Sequence, residues 1–383
     1  MPLGPSAIRT GTRQAGAIKI LTSGAVNFLT QEGWRIADLK HSSGCSALYS
    51  PATAPFASFH PVKTILLPIL ALIFLLDPSA KAQAPKPQPS VWMAPPGIEN
   101  GKSLRDLFEH PDAWKETRSL VDVLMYTDLN FKRQFNDDEL RRWFGQLKEW
   151  NIRLAMEVGA LKEWGQTGEK TFAAERPIWE RLQGLGANLY AIAMDEPLCC
   201  AREQIHKPDD YAVEETANYI ALVRQHFPEI LIGDIETYPS ISVEEHEHWI
   251  EALQKRLTEK NVRGLDFYRL DVDWIRFTVQ NKGSWKEVRD LERFCRQKKL
   301  PFSLIYWSSG YPGMQKRGMA DDSTWYVSMM QQGYDYAFID GQPDQYVIES
   351  WVGAPSQAIP ETADWTFTRS VRDFAKKFVK RSP

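Results

Sequence analysis

The sequence predicts an α/β protein built as a single-domain (β/α)8 TIM barrel over residues 91–380, and three features carry that prediction. From Val91 onward, apolar strand-like runs alternate with amphipathic helix-like segments to the end of the chain, eight of each. Strands recur every 30 to 40 residues or so, the length a βαβ unit needs, and a right-handed series of eight closes on itself. Acidic residues gather at the C-terminal ends of the strand-like runs, where barrels of this kind keep their chemistry. A doubly wound open sheet is the runner-up, but no Gly-rich phosphate loop follows any strand.

The most informative stretch is Ala191-Ile192-Ala193-Met194-Asp195-Glu196-Pro197-Leu198. An apolar run is covered on both faces when its strand is parallel and flanked by helices. Pro197 ends it, because proline cannot donate to a ladder. The two acids left at its tip lose hydration, which is costly unless they are paired or put to use.

Composition sets wide bounds. The 383 residues carry a net charge of -3 with 25% charged side chains, so nothing in the bulk charge calls for a nucleic-acid partner. Fourteen Trp and 13 Tyr supply flat apolar faces with a polar edge, which suit sugar rings as well as a core. The four cysteines, Cys45, Cys199, Cys200 and Cys295, match neither a disulfide scaffold nor a zinc pattern, and their pairing stays open.

Residues 1–61 lack periodic apolar patterning and read as a non-native or disordered extension. Residues 62–82 then read as a signal peptide: Val62-Lys63 is a short basic start, Thr64 to Leu76 an apolar h-region, and Ala80-Lys81-Ala82 a cleavage site. A start of translation near Val62 makes this an ordinary N-terminal leader. The apolar run, about 13 residues broken by Pro68, is too short to span a bilayer comfortably. Residues 83–90 form a Pro-rich lead-in, and the expected location is periplasmic or extracellular, with no stable membrane insertion.

The strands expected are Val91 to Pro95, Val121 to Asp128, Arg153 to Gly159, Leu189 to Glu196, Ile230 to Tyr238, Gly264 to Asp271, Pro301 to Trp307 and Tyr334 to Asp340. Asp137 to Trp150 shows the helical counterpart, with Leu140, Trp143, Phe144, Leu147 and Trp150 at helical spacing and Asn136 or Asp137 as cap. Val213 to Phe227, Val243 to Leu257, Trp285 to Cys295, Thr324 to Met330 and Thr368 to Val379 behave alike.

Taken strand by strand, the ends carry Tyr126 and Asp128, Glu157, Asp195-Glu196, Asp234 with Glu236 and Tyr238, Asp271 with Asp273, Tyr306-Trp307, and Asp340 with Glu349 shortly after. Alternation puts Asp234 and Glu236 on one face, roughly 7 Å apart, with neighbouring strands about 4.8 Å away. Paired carboxylates are what glycoside hydrolysis requires, one protonated to feed the leaving oxygen and one ionised to attack or to activate water. No Gly-x-Ser-x-Gly elbow and no His-Glu-x-x-His spacing competes, and His246 and His248 read as surface residues.

Asp195-Glu196-Pro197 at the end of the fourth strand resembles the Asn-Glu-Pro that carries the acid/base glutamate in the large clan of (β/α)8 glycoside hydrolases. The resemblance implies that Glu196 is the proton donor. That clan takes its nucleophile from the end of the seventh strand, whereas here Leu304-Ile305-Tyr306-Trp307-Ser308-Ser309 has no acid. The second carboxylate is therefore assigned to Glu236, with Asp271 and Asp273 behind it, or to Asp340 or Glu349 if the strand count is off by one. Substrate contacts are expected from Asp195, Asp234, Glu157, Tyr126, Asp128, Tyr238, Asp271, Tyr306, Trp307, Asp340 and Trp351.

The expected function is thus a secreted glycoside hydrolase acting on a polysaccharide or oligosaccharide, with no cofactor and no metal. Two alternatives remain: a carbohydrate-binding barrel without turnover, and a hydrolase in which Glu157, Asp195, Glu196 and Asp234 hold Mg²⁺ or Ca²⁺ through oxygen alone. Chelator sensitivity separates the last from the other two.

Overall fold

A computed structural model of the protein describes residues 88–97 and 100–381. The extension, the signal peptide and most of the Pro-rich lead-in expected from the sequence lie outside the described residues. The strands are β1 (Ser90–Ala94), β2 (Val123–Thr127), β3 (Arg153–Val158), β4 (Leu189–Asp195), β5 (Leu231–Tyr238), β6 (Phe267–Val272), β7 (Phe302–Tyr306) and β8 (Gln345–Glu349). The helices begin with α1 (Lys102–Glu109), α2 (Lys115–Arg118), α3 (Asp128–Gln134), α4 (Asp137–Glu149), α5 (Gly168–Gly184), α6 (Pro197–Glu203) and α7 (Asp209–His226). They continue with α8 (Val243–Glu259), α9 (Trp274–Gln280), α10 (Trp285–Gln297), α11 (Tyr311–Gln315), α12 (Asp322–Phe338) and α13 (Phe367–Phe378). Every strand pairs in parallel with its sequence neighbours, and β1 closes on β8 with Ala94 opposite Glu349. The chain folds as a (β/α)8 barrel. Among the described residues no helix is long and apolar enough to cross a membrane.

Strand alternation splits the core into two layers. Trp92, Val123, Met125, Ala155, Ala191, Ala193, Ile235, Phe267, Ile305 and Val347 fill the barrel interior, while the alternate residues pack outward against the helices. Small residues on β3 and β4 leave room for Trp92. On β5, Gly233 is required, because a Cβ there would sit 1.8 Å from the Phe267 ring.

The helices follow from their caps and stripes. A reciprocal pair between Asn136 and Glu139 opens α4, which buries Leu140, Trp143, Phe144 and Leu147 as the spacing predicts. Ser242 and Glu245 do the same for α8.

The eighth strand is the correction to the sequence reading. Tyr334 to Asp340 is the last part of α12 and the turn after it, opened by a capping box at Asp321. Helix wins there because Trp325, Met329, Gln332, Gly333 and Tyr336 form one buried face at helical spacing. The true β8 is the five-residue run Gln345–Glu349, buried throughout. Asp340 consequently lies before β8, at the end of the barrel opposite the strand tips, and takes no part in a site at the mouth.

Candidate active site

The mouth is built by residues that alternation turns inward at the strand tips. These are Glu157 from β3, Asp195 from β4, Asp271 from β6, Trp307 after β7 and Glu349 from β8, with Glu196 on the rim next to Asp195. Glu196 caps α6 with left-handed dihedrals, φ 51° and ψ 51°. That conformation strains a residue with a side chain by about 1–3 kcal/mol and is tolerated where the surroundings hold it. Here the Glu196 amide donates to the Ile235 carbonyl at 2.9 Å, and Pro197 starts the helix.

Charges in the mouth are unequally matched. Lys162, from the loop after β3, donates to Asp195 Oδ2 at 2.5 Å and to Cys200 Sγ at 3.3 Å. Burial works against its charge, yet Asp195 beside it carries the ammonium above its usual range. The Glu157 and Glu349 carboxyls touch each other. Burial, then Glu349 and Asp195, lifts Glu157 well above the carboxylate range. Burial also raises Glu349, to about 7, while the bond to Glu157 and the charge of Arg269 hold it from going higher. Two carboxyls in contact share one proton, and the environment makes Glu349 the anionic member. Its Oε2 is buried and accepts no hydrogen bond.

Arg269 lies fully buried beneath this pair. Its guanidinium stacks 4.5 Å from the Trp92 ring and donates to Ser303 at 2.8 Å, Gln345 at 3.2 Å and the Met125 sulfur at 3.0 Å. Burial lowers its pKa to about 10. Asp271 is raised well above its ordinary range by burial and then by Glu196 and Glu349. The Trp307 indole N–H faces it without closing a well-formed hydrogen bond. Glu196 is raised as well, by burial and then by Asp195.

A recess of about 270 Å³ opens beside the acid pair, lined by Tyr126, Thr127, Asn130, Glu157, Glu349 and Trp351 among others. Trp351 is 49% exposed and packs on Trp307 with ring centroids 4.1 Å apart. Trp164, half exposed on the Lys162 loop, is another ring at the mouth.

Several expected site residues face the other way. Glu236 points out of the barrel, where its carboxylate accepts from the Leu198 amide at 2.5 Å and the Cys199 amide at 3.2 Å. It holds the start of α6 and does not reach the mouth. Asp234 also faces outward and accepts from Trp249 at 2.6 Å, so it cannot join Glu157, Asp195 and Glu196 around a cation. Tyr238 donates to Glu287 at 2.7 Å under α10, and Tyr306 stacks on Tyr346 against Phe374. Asp128 begins α3 and accepts from Trp179 at 3.1 Å. The Tyr126 ring packs among Phe131 and Phe135, with only part of it at the recess. Asp273 caps α9. Cys199, Cys200 and Cys295 are free thiols.

Of the residues expected from the sequence, the structure brings Glu157, Asp195, Glu196, Asp271, Trp307, Trp351 and the alternative partner Glu349 together at the mouth, and Lys162, Arg269 and Trp164 are not among those expected. Arg269 had a signal, a lone cation inside the apolar run Phe267–Val272. Lys162 had none, since a lysine in a polar loop is ordinary. Among the described residues no group of three or more side chains has the arrangement to hold a metal.

No family model and no curated protein matches the chain. Solved structures do resemble it. A GH10 endoxylanase from a sugarcane soil metagenome is 7% identical, with TM-score 0.44 over 69% of this chain and 86% of that one. A glucosidase from Croceicoccus marinus is 14% identical, with TM-score 0.42 over 70% and 62%. An aldo-keto reductase of the silkworm Bombyx mori is 12% identical, with TM-score 0.42 over 76% and 80%. These neighbours include two glycoside hydrolases and a reductase, and the likeness chooses none of them.

Proposed function

We propose that the protein is an exported glycoside hydrolase that cleaves a polysaccharide with Glu196 as proton donor and Glu349 as the ionised partner. One observation carries the reading: Glu196, just after β4, and Glu349 on β8 are carried by strands four apart in a closed ring of eight, on opposite sides of one mouth. A sugar between them would have a carboxyl on each face, which is the arrangement hydrolysis of a glycosidic bond requires.

The environments divide the labour. Burial and then Asp195 raise Glu196, which favours the protonated form a general acid needs, and its place on the rim suits delivery to the leaving oxygen. Glu349 is the anion of its pair, held by the proton on Glu157 and by Arg269 below, and its Oε2 accepts no hydrogen bond. It serves as nucleophile or as base for water. Trp307 and Trp351 offer a face to the sugar, and Asp271 lies beside Glu196 to accept its hydroxyls. Export rests on the apolar run Thr64 to Leu76 and the Ala80-Lys81-Ala82 site. The N-terminus of the protein recovered from outside the cytoplasm is expected at Gln83.

Reducing-end release from a polysaccharide panel tests the chemistry. Glu196→Gln is expected to lower kcat by about 10²–10⁴, the usual size of a general-acid contribution, with less loss on aryl glycosides whose leaving group needs no proton. Glu349→Gln is expected to abolish turnover on both. Glu236→Gln is expected to keep the parent's kcat, and a loss there equal to that of Glu196→Gln would return Glu236 to the catalytic pair.

A further inference from the structure

We propose that the recess beside Glu157 and Glu349 binds the ammonium group of a sugar with a free amine, so that the preferred substrate is a polymer containing unacetylated hexosamine. This rests on the glycoside hydrolase reading above and names its substrate.

Five carboxyls meet at the mouth, Glu157, Asp195, Glu196, Asp271 and Glu349, against two cations, Lys162 and Arg269. Both cations are engaged elsewhere. Lys162 donates to Asp195 and Cys200, and Arg269 donates to Ser303, Gln345 and the Met125 sulfur. Neither touches Glu157 or Glu349. The pair is kept together by a proton; Glu349, only 6% exposed, is among the residues lining the recess, and its buried Oε2 accepts no hydrogen bond.

A sugar hydroxyl gives such a pair one more hydrogen bond and leaves its charge deficit in place. An ammonium brings a full charge and three donors, which two carboxylates can accept once their shared proton leaves. Trp351, on the wall of the same recess, adds an aromatic face of the kind that attracts cations. Position agrees with charge. If Glu349 Oε2 faces the anomeric carbon, the carboxyl in contact with Glu349 faces the substituent on the next carbon, and that carboxyl is Glu157.

The test is calorimetric binding by the full chain carrying Glu196→Gln, which leaves the recess intact. D-glucosamine, D-glucose and N-acetyl-D-glucosamine are titrated near pH 7 in two buffers of different ionisation heat. Glucosamine is expected to bind about ten-fold tighter than either neutral sugar, which is about 1.4 kcal/mol, and to release a proton to the buffer. Adding Glu157→Gln is expected to erase the preference. Equal affinities, no binding of any of the three, or a preference that survives Glu157→Gln overturns the proposal. Should that variant not fold, a pH series on the Glu196→Gln protein replaces it. Lowering the pH from about 7 to about 5 protonates Glu349 beside the already protonated Glu157, with Asp195, Asp271, Lys162 and Arg269 facing them, and must diminish the preference. A preference unchanged across that range is equally fatal. An amine preference with no hydrolysis of any polymer by the parent chain defeats the hydrolase reading alone. Hydrolysis of neutral polymers without amine preference defeats this inference alone.

Discussion

Single residues in this barrel owe their chemistry to which side of the wall they occupy. Glu236 and Glu349 are both buried carboxyls at strand tips, but only Glu349 faces a recess; Glu236 is occupied by two helix amides. The residue scale also fixes the pH dependence expected of turnover. Glu349 must be ionised and burial sets it at about 7, so kcat/KM is expected to rise with pH through about 7. Arg269 opposes that rise in pKa by its positive charge. Arg269→Gln is therefore expected to move the acidic limb to higher pH, recorded as a pH–rate profile beside a melting curve. A limb left in place in a folded variant would mean that another group controls it.

Elements decide how far a sequence can be read. Seven strands were legible because long apolar runs ending in turn residues leave few alternatives, and the Asp195-Glu196-Pro197 terminus marked the mouth before any geometry was known. The eighth failed for a physical reason. Gln345 and Glu349 bracket only three apolar residues, since both polar groups turn into the barrel, and Tyr334 to Asp340 nearby looked more strand-like than this true strand. The face of β5 failed for another. Alternation showed that Asp234 and Glu236 share a face, but Gly233 decides which one, and its reason is the inward-turned Phe267 ring paired with it on the neighbouring strand. A consequence can be measured. Gly233→Ala forces a Cβ into that ring and is expected to destabilise by about 1–3 kcal/mol in chemical denaturation. The loss is expected to shrink when Phe267→Leu is added, and additivity of the two changes would separate Gly233 from Phe267.

At the scale of the whole molecule, the buried acids make stability depend on pH in a specific direction. Asp128, Glu349 and Asp234 are raised by burial to about 6, 7 and 8, whereas in the unfolded chain such groups titrate near 4. Between those limits the folded protein holds more protons than the unfolded one, so stability falls as pH rises. Each group contributes a stabilisation that is present in full below about pH 4, falls by up to about 1.4 kcal/mol per pH unit above it, and is exhausted once its folded pKa is passed. Ion-paired surface acids such as Asp209 and Asp373 are lowered instead and lose their contribution only at the acidic end. The window from about pH 5 to 8 is therefore governed by the buried set. Asp234 is the cleanest probe, because its carboxyl sits outside the mouth against Trp249 and takes no part in the proposed chemistry. Asp234→Asn keeps an oxygen for the Trp249 indole while removing the titration, and it is expected to flatten the fall in unfolding free energy between about pH 5 and 8 with kcat unchanged. A slope as steep as the parent's would show that Asp234 is ionised in the folded protein.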